Sequence, residues 1–238
     1  MCGIVGILKL SKNTRPIDSD AINRMLSVIQ HRGPDGFGVY RNQEVELGNA
    51  RLSIIDLSTG DQPISNEDKT IWVVFNGEIF NYIELRSELE QRGHVFETQC
   101  DTEVIVHLYE EMGASCVNRF NGQFAIALWD ETKHELFLAR DRLGVRPVFY
   151  SQKNGELVFG SEIKSLFARG GIPVELDAAA LREIFTYWSP LSPKSVFKDV
   201  FELPPGCTMT VRDGNISINE FWKLDFTEES PAKDFQVY

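Results

Sequence analysis

Cys2 carries the most reactive chemistry in this chain, because removal of the initiator Met1 would leave a thiol and a free α-amine on one amino acid. The thiolate is the nucleophilic form of cysteine, and an ordinary thiol, with a pKa of about 8.5, is mostly protonated at neutral pH and needs a base. An α-amine, with a reference pKa of about 7.7–8.0, is partly unprotonated there and can act as that base. The terminal residue could then serve as nucleophile and general base together. Retention of Met1 would turn the base into an amide and close this chemistry.

The remaining reactive side chains form no comparable pattern. Cys100, Cys116 and Cys207 lie far apart with no C-x-x-C pair, which argues against a zinc site or a disulfide framework and predicts reduced thiols. His31, His94, His107 and His134 show no ligand spacing, so a solvated or internally satisfied ring is expected for each and no metal is predicted. Gly36-Phe37-Gly38 lacks the third glycine of a dinucleotide fingerprint, and no G-x-x-x-x-G-K-[ST] loop occurs.

The elements that must position Cys2 belong to a chain of 238 residues, long enough for one large domain with a substantial core. The formal net charge is −11 and the 24 Lys and Arg are scattered, so the basic footprint of a nucleic-acid binder is missing. The apolar run Gly3 to Leu8 is too short for a membrane span and lacks the basic start and cleavage site of a secretory signal, so a cytoplasmic protein without membrane contact is expected.

Gly3 to Leu10 reads as a strand buried on both faces, and Ile22, Met25, Leu26 and Ile29 as a helix stripe behind the capping candidates Asp18 and Ser19. Strands are predicted at Phe37 to Tyr40, Val45 to Gly48, Arg51 to Ile55, Thr70 to Phe75, Gln123 to Trp129, Glu135 to Arg140, Pro147 to Tyr150 and Leu157 to Gly160. Two more flank Arg212-Asp213-Gly214-Asn215, and Asn154-Gly155 is the strongest hairpin signal. Helices are predicted from Asn81 to Gly93, from about Asp101, and from Asp177 to Trp188 with Leu181, Ile184, Phe185 and Trp188 on one face. This pattern predicts two packed sheets with helices outside, a layered α+β domain. The polar, acidic tail from Asp225 to Tyr238 reads as a linker or the start of a next domain.

Six stretches in consistent order, MCGIVGI, HRGPDG, NARLSIIDL, FNGEIFNY, CDTEV and RDRLGVRPVFY, resemble the glutaminase domain of class II glutamine amidotransferases, within the N-terminal-nucleophile hydrolases. The run Ala50 to Ile55 is most similar to the asparagine synthetase family. The resemblance covers about Cys2 to Trp222 and implies a four-layer αββα sandwich of two antiparallel sheets flanked by helices, with a glutaminase domain over 2–214 and a last strand and linker over 215–238.

By that resemblance Cys2 attacks the side-chain amide of L-glutamine to give a thioester, with Asn76 and Gly77 holding the oxyanion. Arg51 would grip the substrate α-carboxylate and Asp101 the α-ammonium, and Glu78 with Leu52, Ser53, Ile54 and Ile55 would complete the pocket. Two of these positions keep a second reading: Asn76-Gly77 as a plain turn, and Asp101 as a helix N-cap. HRGPDG is read as a loop shaping the pocket wall, and Arg140-Asp141-Arg142 with Gly144 to Pro147 as scaffold.

The resemblance also implies an ATP- and Mg-dependent synthetase domain or separate subunit as the consumer of ammonia, with no cofactor in this domain itself; a homodimer is among the assemblies it allows. The S-G-G-x-D-S loop of such a domain does not occur here. A non-catalytic glutamine- or partner-binding module of the same fold is the rival reading.

Overall fold

The strands alternate apolar side chains toward two different cores, so each sheet must be covered on both faces. The computed structural model describes residues 2–11 and 13–226. The elements are β1 (Gly3–Lys9), α1 (Ala21–Ser27), β2 (Gly36–Arg41), β3 (Val45–Arg51), β4 (Ile64–Ser65), β5 (Ile71–Ile79), α2 (Tyr82–Gln91), α3 (Glu103–Met112), β6 (Gly122–Asp130), β7 (Glu135–Arg140), β8 (Phe149–Lys153), β9 (Glu156–Gly160), α4 (Ile163–Arg169), α5 (Ala178–Tyr187), β10 (Phe201–Glu202), β11 (Cys207–Arg212) and β12 (Asn215–Glu220).

One six-stranded sheet runs β10-β8-β9-β1-β3-β2 and the other β12-β11-β7-β6-β5-β4. Every pairing in both is antiparallel. In β6, Ala125, Ala127 and Trp129 enter the core between the sheets with Ile4, Leu8 and Phe159. Their neighbours Phe124, Ile126 and Leu128 enter an outer core with Leu85 and Leu89 of α2 and Val104, Ile105 and Leu108 of α3. On the far side, Val5 and Ile7 of β1 pack against Ile22, Met25 and Leu26 of α1 and Leu166 of α4. The result is the expected four-layer αββα sandwich. Trp222 lies in the described residues, whereas the linker expected beyond residue 226 lies outside them.

Turn chemistry reads well from sequence. Asn154 and Gly155 have φ of 54° and 77° and join β8 to β9 through the pair Lys153 and Glu156. Asp213 and Gly214, at 50° and 76°, do the same between β11 and β12. Two positive φ values in a two-residue loop match the twist of the flanking strands, and asparagine, aspartate and glycine tolerate them best.

Three boundaries differ from the sequence reading. Val45 to Arg51 is one strand, and the run at 52–55, with its two β-branched residues Ile54 and Ile55, leaves the sheet as a loop, so Arg51 ends a strand instead of starting one. The strand expected to stop at Phe75 continues to Ile79, pairing with β6 through Asn76, Gly77 and Glu78, which excludes a turn at Asn76-Gly77. The apolar face of α5 is not buried: Phe185 is 86% and Trp188 94% exposed, and only Ala180 of that helix is buried. Helix α4 was not anticipated.

Phe159 lies directly across from Gly6 in the β1–β9 pair, and a Cβ on Gly6 would fall 2.2 Å from its ring. Phe159→Ala would leave a void between the sheets, and an unfolding free-energy loss of about 3–5 kcal/mol is expected from urea denaturation. A loss below about 1 kcal/mol would contradict this packing.

Candidate active site

Strand pairing brings the amino terminus to the end of β3. Gly3 pairs with Ala50, which sets Cys2 beside Arg51 and Leu52. The Leu52 N–H lies 3.3 Å from Cys2 Sγ, and the thiol reaches the Leu52 carbonyl at 3.5 Å. Arg32 donates from Nε to the Cys2 carbonyl at 3.0 Å and from Nη1 to Glu162 at 3.0 Å, tethering the terminal backbone.

Cys2 opens into a cavity of about 70 Å³, lined also by Arg51, Leu52, Ile54, Ile55, Asn76, Gly77, Glu78 and Asp101. Every predicted site residue except Ser53 therefore converges there. The Ser53 N–H instead donates to Asp35 Oδ2 at 2.7 Å. The HRGPDG loop thus acts by holding: Arg32 fixes Cys2 and Asp35 fixes the 52–55 loop, and neither lines the cavity. His31 is exposed and bound to Glu162 at 2.8 Å.

Asn76 is 1% exposed, and its Nδ2 has no hydrogen-bond partner. A buried amide donor left open beside a cavity is costly unless something else completes it. Gly77 is required for space, since a Cβ there would fall 2.1 Å from the Gln123 carbonyl on the paired strand.

Arg51 is buried, with Nη1 donating to the Asp61 carboxylate and Nη2 to the Asp56 carbonyl. The Asp61 side chain is 84% exposed, so the fork of Arg51 is closed by a partner that water can readily take over. Asp56 organises this loop: its carboxylate accepts from the N–H of Ser58, Thr59 and Gln99. The Thr59 hydroxyl and those backbone donors hold its carboxyl well below the usual carboxylate range.

Asp101 is not a helix cap. Helix α3 begins at Glu103 after Thr102, and Asp101 Oδ2 accepts from the Ile79 N–H at 2.9 Å, across to the end of β5. Burial pushes its carboxyl up to about 6, and the nearby Glu78 charge adds to the rise. A desolvated carboxylate of this kind favours a cation within reach.

Two lining residues, Gln62 and Arg146, are not among the predicted site residues. Gln62 accepts from the Phe75 N–H at 2.7 Å and donates to Thr102 Oγ1 at 3.3 Å, bridging β5 to the start of α3. Arg146 reaches the cavity from the segment read as scaffold, and its Nε is buried without a partner. Burial lowers its pKa, and the Arg32 charge lowers it further. Around it the scaffold reading describes the geometry well: Asp141 accepts from the N–H of Leu143, Val145 and Arg146, while Arg140 donates to the Leu203 carbonyl at 2.7 Å.

A family model described as a glutamine amidotransferase domain matches residues 1–222. The chain belongs to the glutamine amidotransferase domain family. This amidotransferase domain is 37% identical to glutamine-hydrolysing asparagine synthetase 1 of Bacillus subtilis, over 98% of its own length and 37% of that protein's. It is likewise 37% identical to asparagine synthetase 3 of the same species, over 100% of its length and 39% of the relative. The chain therefore spans less than half the length of these relatives. Among solved structures, the glutamine phosphoribosylpyrophosphate amidotransferase of B. subtilis shares the fold at TM-score 0.67 and 20% identity, covering 93% of this chain and 49% of that one.

Gly77→Ala in this domain forces the β5–β6 pair apart at the cavity wall. A loss of about 1–3 kcal/mol in urea denaturation is expected, the usual cost of overpacking.

Proposed function

We propose that this chain hydrolyses glutamine to glutamate and ammonia. The observation that carries the reading is the convergence, in one cavity, of the Cys2 thiol, the unpartnered Asn76 amide and two oppositely charged side chains, Arg51 and Asp101. That set matches a zwitterionic amino acid bearing a side-chain carboxamide.

In this reading Cys2, freed of Met1, attacks the amide carbon while its α-amine takes the thiol proton. Met1 itself lies outside the described residues. Asn76 Nδ2 and the Gly77 N–H hold the oxyanion, an arrangement whose individual donors are worth about 2.7–4 kcal/mol in the transition state. The C–N bond breaks, ammonia leaves with the proton carried by the amine, and water cleaves the thioester. The cavity, at about 70 Å³, is small for a ligand pocket. The incoming α-carboxylate replaces Asp61 on Arg51, which enlarges it, and Asp101 receives the α-ammonium. Glu78, Leu52, Ile54 and Ile55 form the walls, and Ser53 contributes through its backbone.

The ammonia passes to an acceptor activated with ATP and Mg by a synthetase domain or subunit, in the cytoplasm. Names of the relatives and the exposed Phe185 and Trp188 on α5 support a further covering partner. No cofactor is needed in this domain. No described helix is long and apolar enough to cross a membrane. The rival reading, a non-catalytic glutamine- or partner-binding module, could use the open amide donor but gives no use for the thiol.

Intact mass will establish loss of Met1, and ammonia release will then be compared between the processed protein and Cys2→Ala. A drop of at least about a thousandfold is expected, and a surviving rate would overturn the mechanism. A second measurement addresses Asp101: as pH falls below about 6 its carboxylate protonates and loses the substrate ammonium. The glutamine KM should then rise about tenfold per pH unit, and Asp101→Asn should hold KM high and flat across the same range.

A further inference from the structure

Away from the cavity, four groups that could ligate a metal meet where the β4–β5 turn, the α2–α3 connection and α3 come together. Glu67, His94, His107 and Glu110 each present one ligand atom, all within 4.8 Å of one another. His107 is wholly buried, yet neither of its ring nitrogens has a hydrogen-bond partner. Its Nδ1 stands 3.4 Å from Glu67 Oε2. His94 Nδ1 stands 3.3 Å from Glu67 Oε1 and 4.0 Å from Glu110 Oε2.

These separations are long for charge-assisted hydrogen bonds, which run at about 2.7–2.9 Å. The two histidine–Glu67 separations are close to the edges of a coordination tetrahedron, about 3.3–3.4 Å when metal–ligand bonds are about 2.0–2.1 Å, and the wider His94–Glu110 gap of 4.0 Å would have to close by about half an ångström around an ion. The far side of each ring is also prepared. His107 Nε2 faces Glu103 Oε1 at 3.6 Å, and His94 Nε2 faces Glu111 Oε1 at 3.4 Å. A carboxylate behind a ligating histidine fixes its tautomer and raises its basicity. The carboxylates in front are oriented too, since the Val95 N–H donates to Glu67 Oε1 at 2.9 Å and Asn66 Nδ2 donates to Glu110 Oε2 at 3.3 Å.

We propose that Glu67, His94, His107 and Glu110 form a structural site for a divalent transition metal, with Zn²⁺ the best match. Two neutral imidazoles and two carboxylates supply four protein ligands and cancel the ion's charge, leaving no open position. The ion clips the β4–β5 turn to α3, the helix that follows Asp101 and Thr102 of the cavity. No ligand spacing is visible in the sequence because only His107 and Glu110 are local neighbours; Glu67 and His94 arrive through the fold.

Chelator-treated protein carrying Cys2→Ala, which removes the competing terminal thiol, will be titrated calorimetrically with Zn²⁺. One ion per chain with Kd of about 10⁻⁸ M or tighter is expected, together with a rise in Tm. Co²⁺ should give the intense visible absorption of a tetrahedral site. Adding His94→Ala should weaken Zn²⁺ binding at least about a hundredfold, whereas adding His134→Ala, outside the cluster, should leave it unchanged. Binding no tighter than about 100 µM, or His94→Ala binding as tightly as its parent, would overturn the site. If His94→Ala does not fold, the parent protein decides, because the absence of a Tm rise and of tetrahedral Co²⁺ absorption there would overturn it equally.

Discussion

The register between β1 and β3 is the constraint on which the rest of the structure depends. Gly3 faces Ala50 and Gly6 faces Leu47, and with a side-chain period of two a slip by one residue would exchange the two faces of β1. Ile4 and Leu8 would turn away from the core between the sheets, and Val5 and Ile7 would lose α1. Both faces are buried, so either exchange strands apolar area and overfills another layer. That penalty is what delivers Cys2 to a fixed point beside Leu52. A chain end is normally among the most mobile parts of a domain. Here the Arg32 bond to the Cys2 carbonyl and the central position of β1 in its sheet hold it.

The cavity concentrates polar groups that folding alone does not satisfy. Asn76 keeps an open donor, Arg146 an open Nε, and Asp101 a carboxyl raised by burial from 3.8 to about 6. The sign of the last effect is informative. Between about pH 4 and pH 6 the folded chain holds a proton that the unfolded chain has released, so Asp101 opposes folding at neutral pH and less so as pH falls. Structures tolerate such costs chiefly where a ligand repays them. Arg51 differs, since it already has an anionic partner in Asp61 and a second acceptor in the Asp56 carbonyl.

How much of this could be read beforehand depended on whether the information was local. Cys2, Arg51, Asn76, Gly77 and Asp101 each sit in a short stretch with its own signature, and the fold brings them together. Hairpins at Asn154-Gly155 and Asp213-Gly214 were legible because two residues set the backbone angles. Gln62 was not, because its role depends on neighbours brought by the fold and nothing nearby in sequence marks it, while Arg146 sits in a stretch with a signature but reads there as scaffold. The run Ser53-Ile54-Ile55 shows propensity overridden by tertiary structure: it reads as strand, yet the chain spends it on a loop that leaves Ile54 largely exposed while Ile55 packs on the outer core. The apolar face of α5 likewise gave the helix correctly but not its packing, since the described residues do not cover it.

Asp56 joins two segments that are otherwise independent. Its carbonyl accepts a hydrogen bond from Arg51 and its carboxylate one from the backbone N–H of Gln99, two residues before Asp101. The guanidinium and the strip of chain that leads to Asp101 therefore share one anchor. The flank of the cavity that holds a buried cation and the flank that leads to a buried carboxyl are thereby tied together through one aspartate.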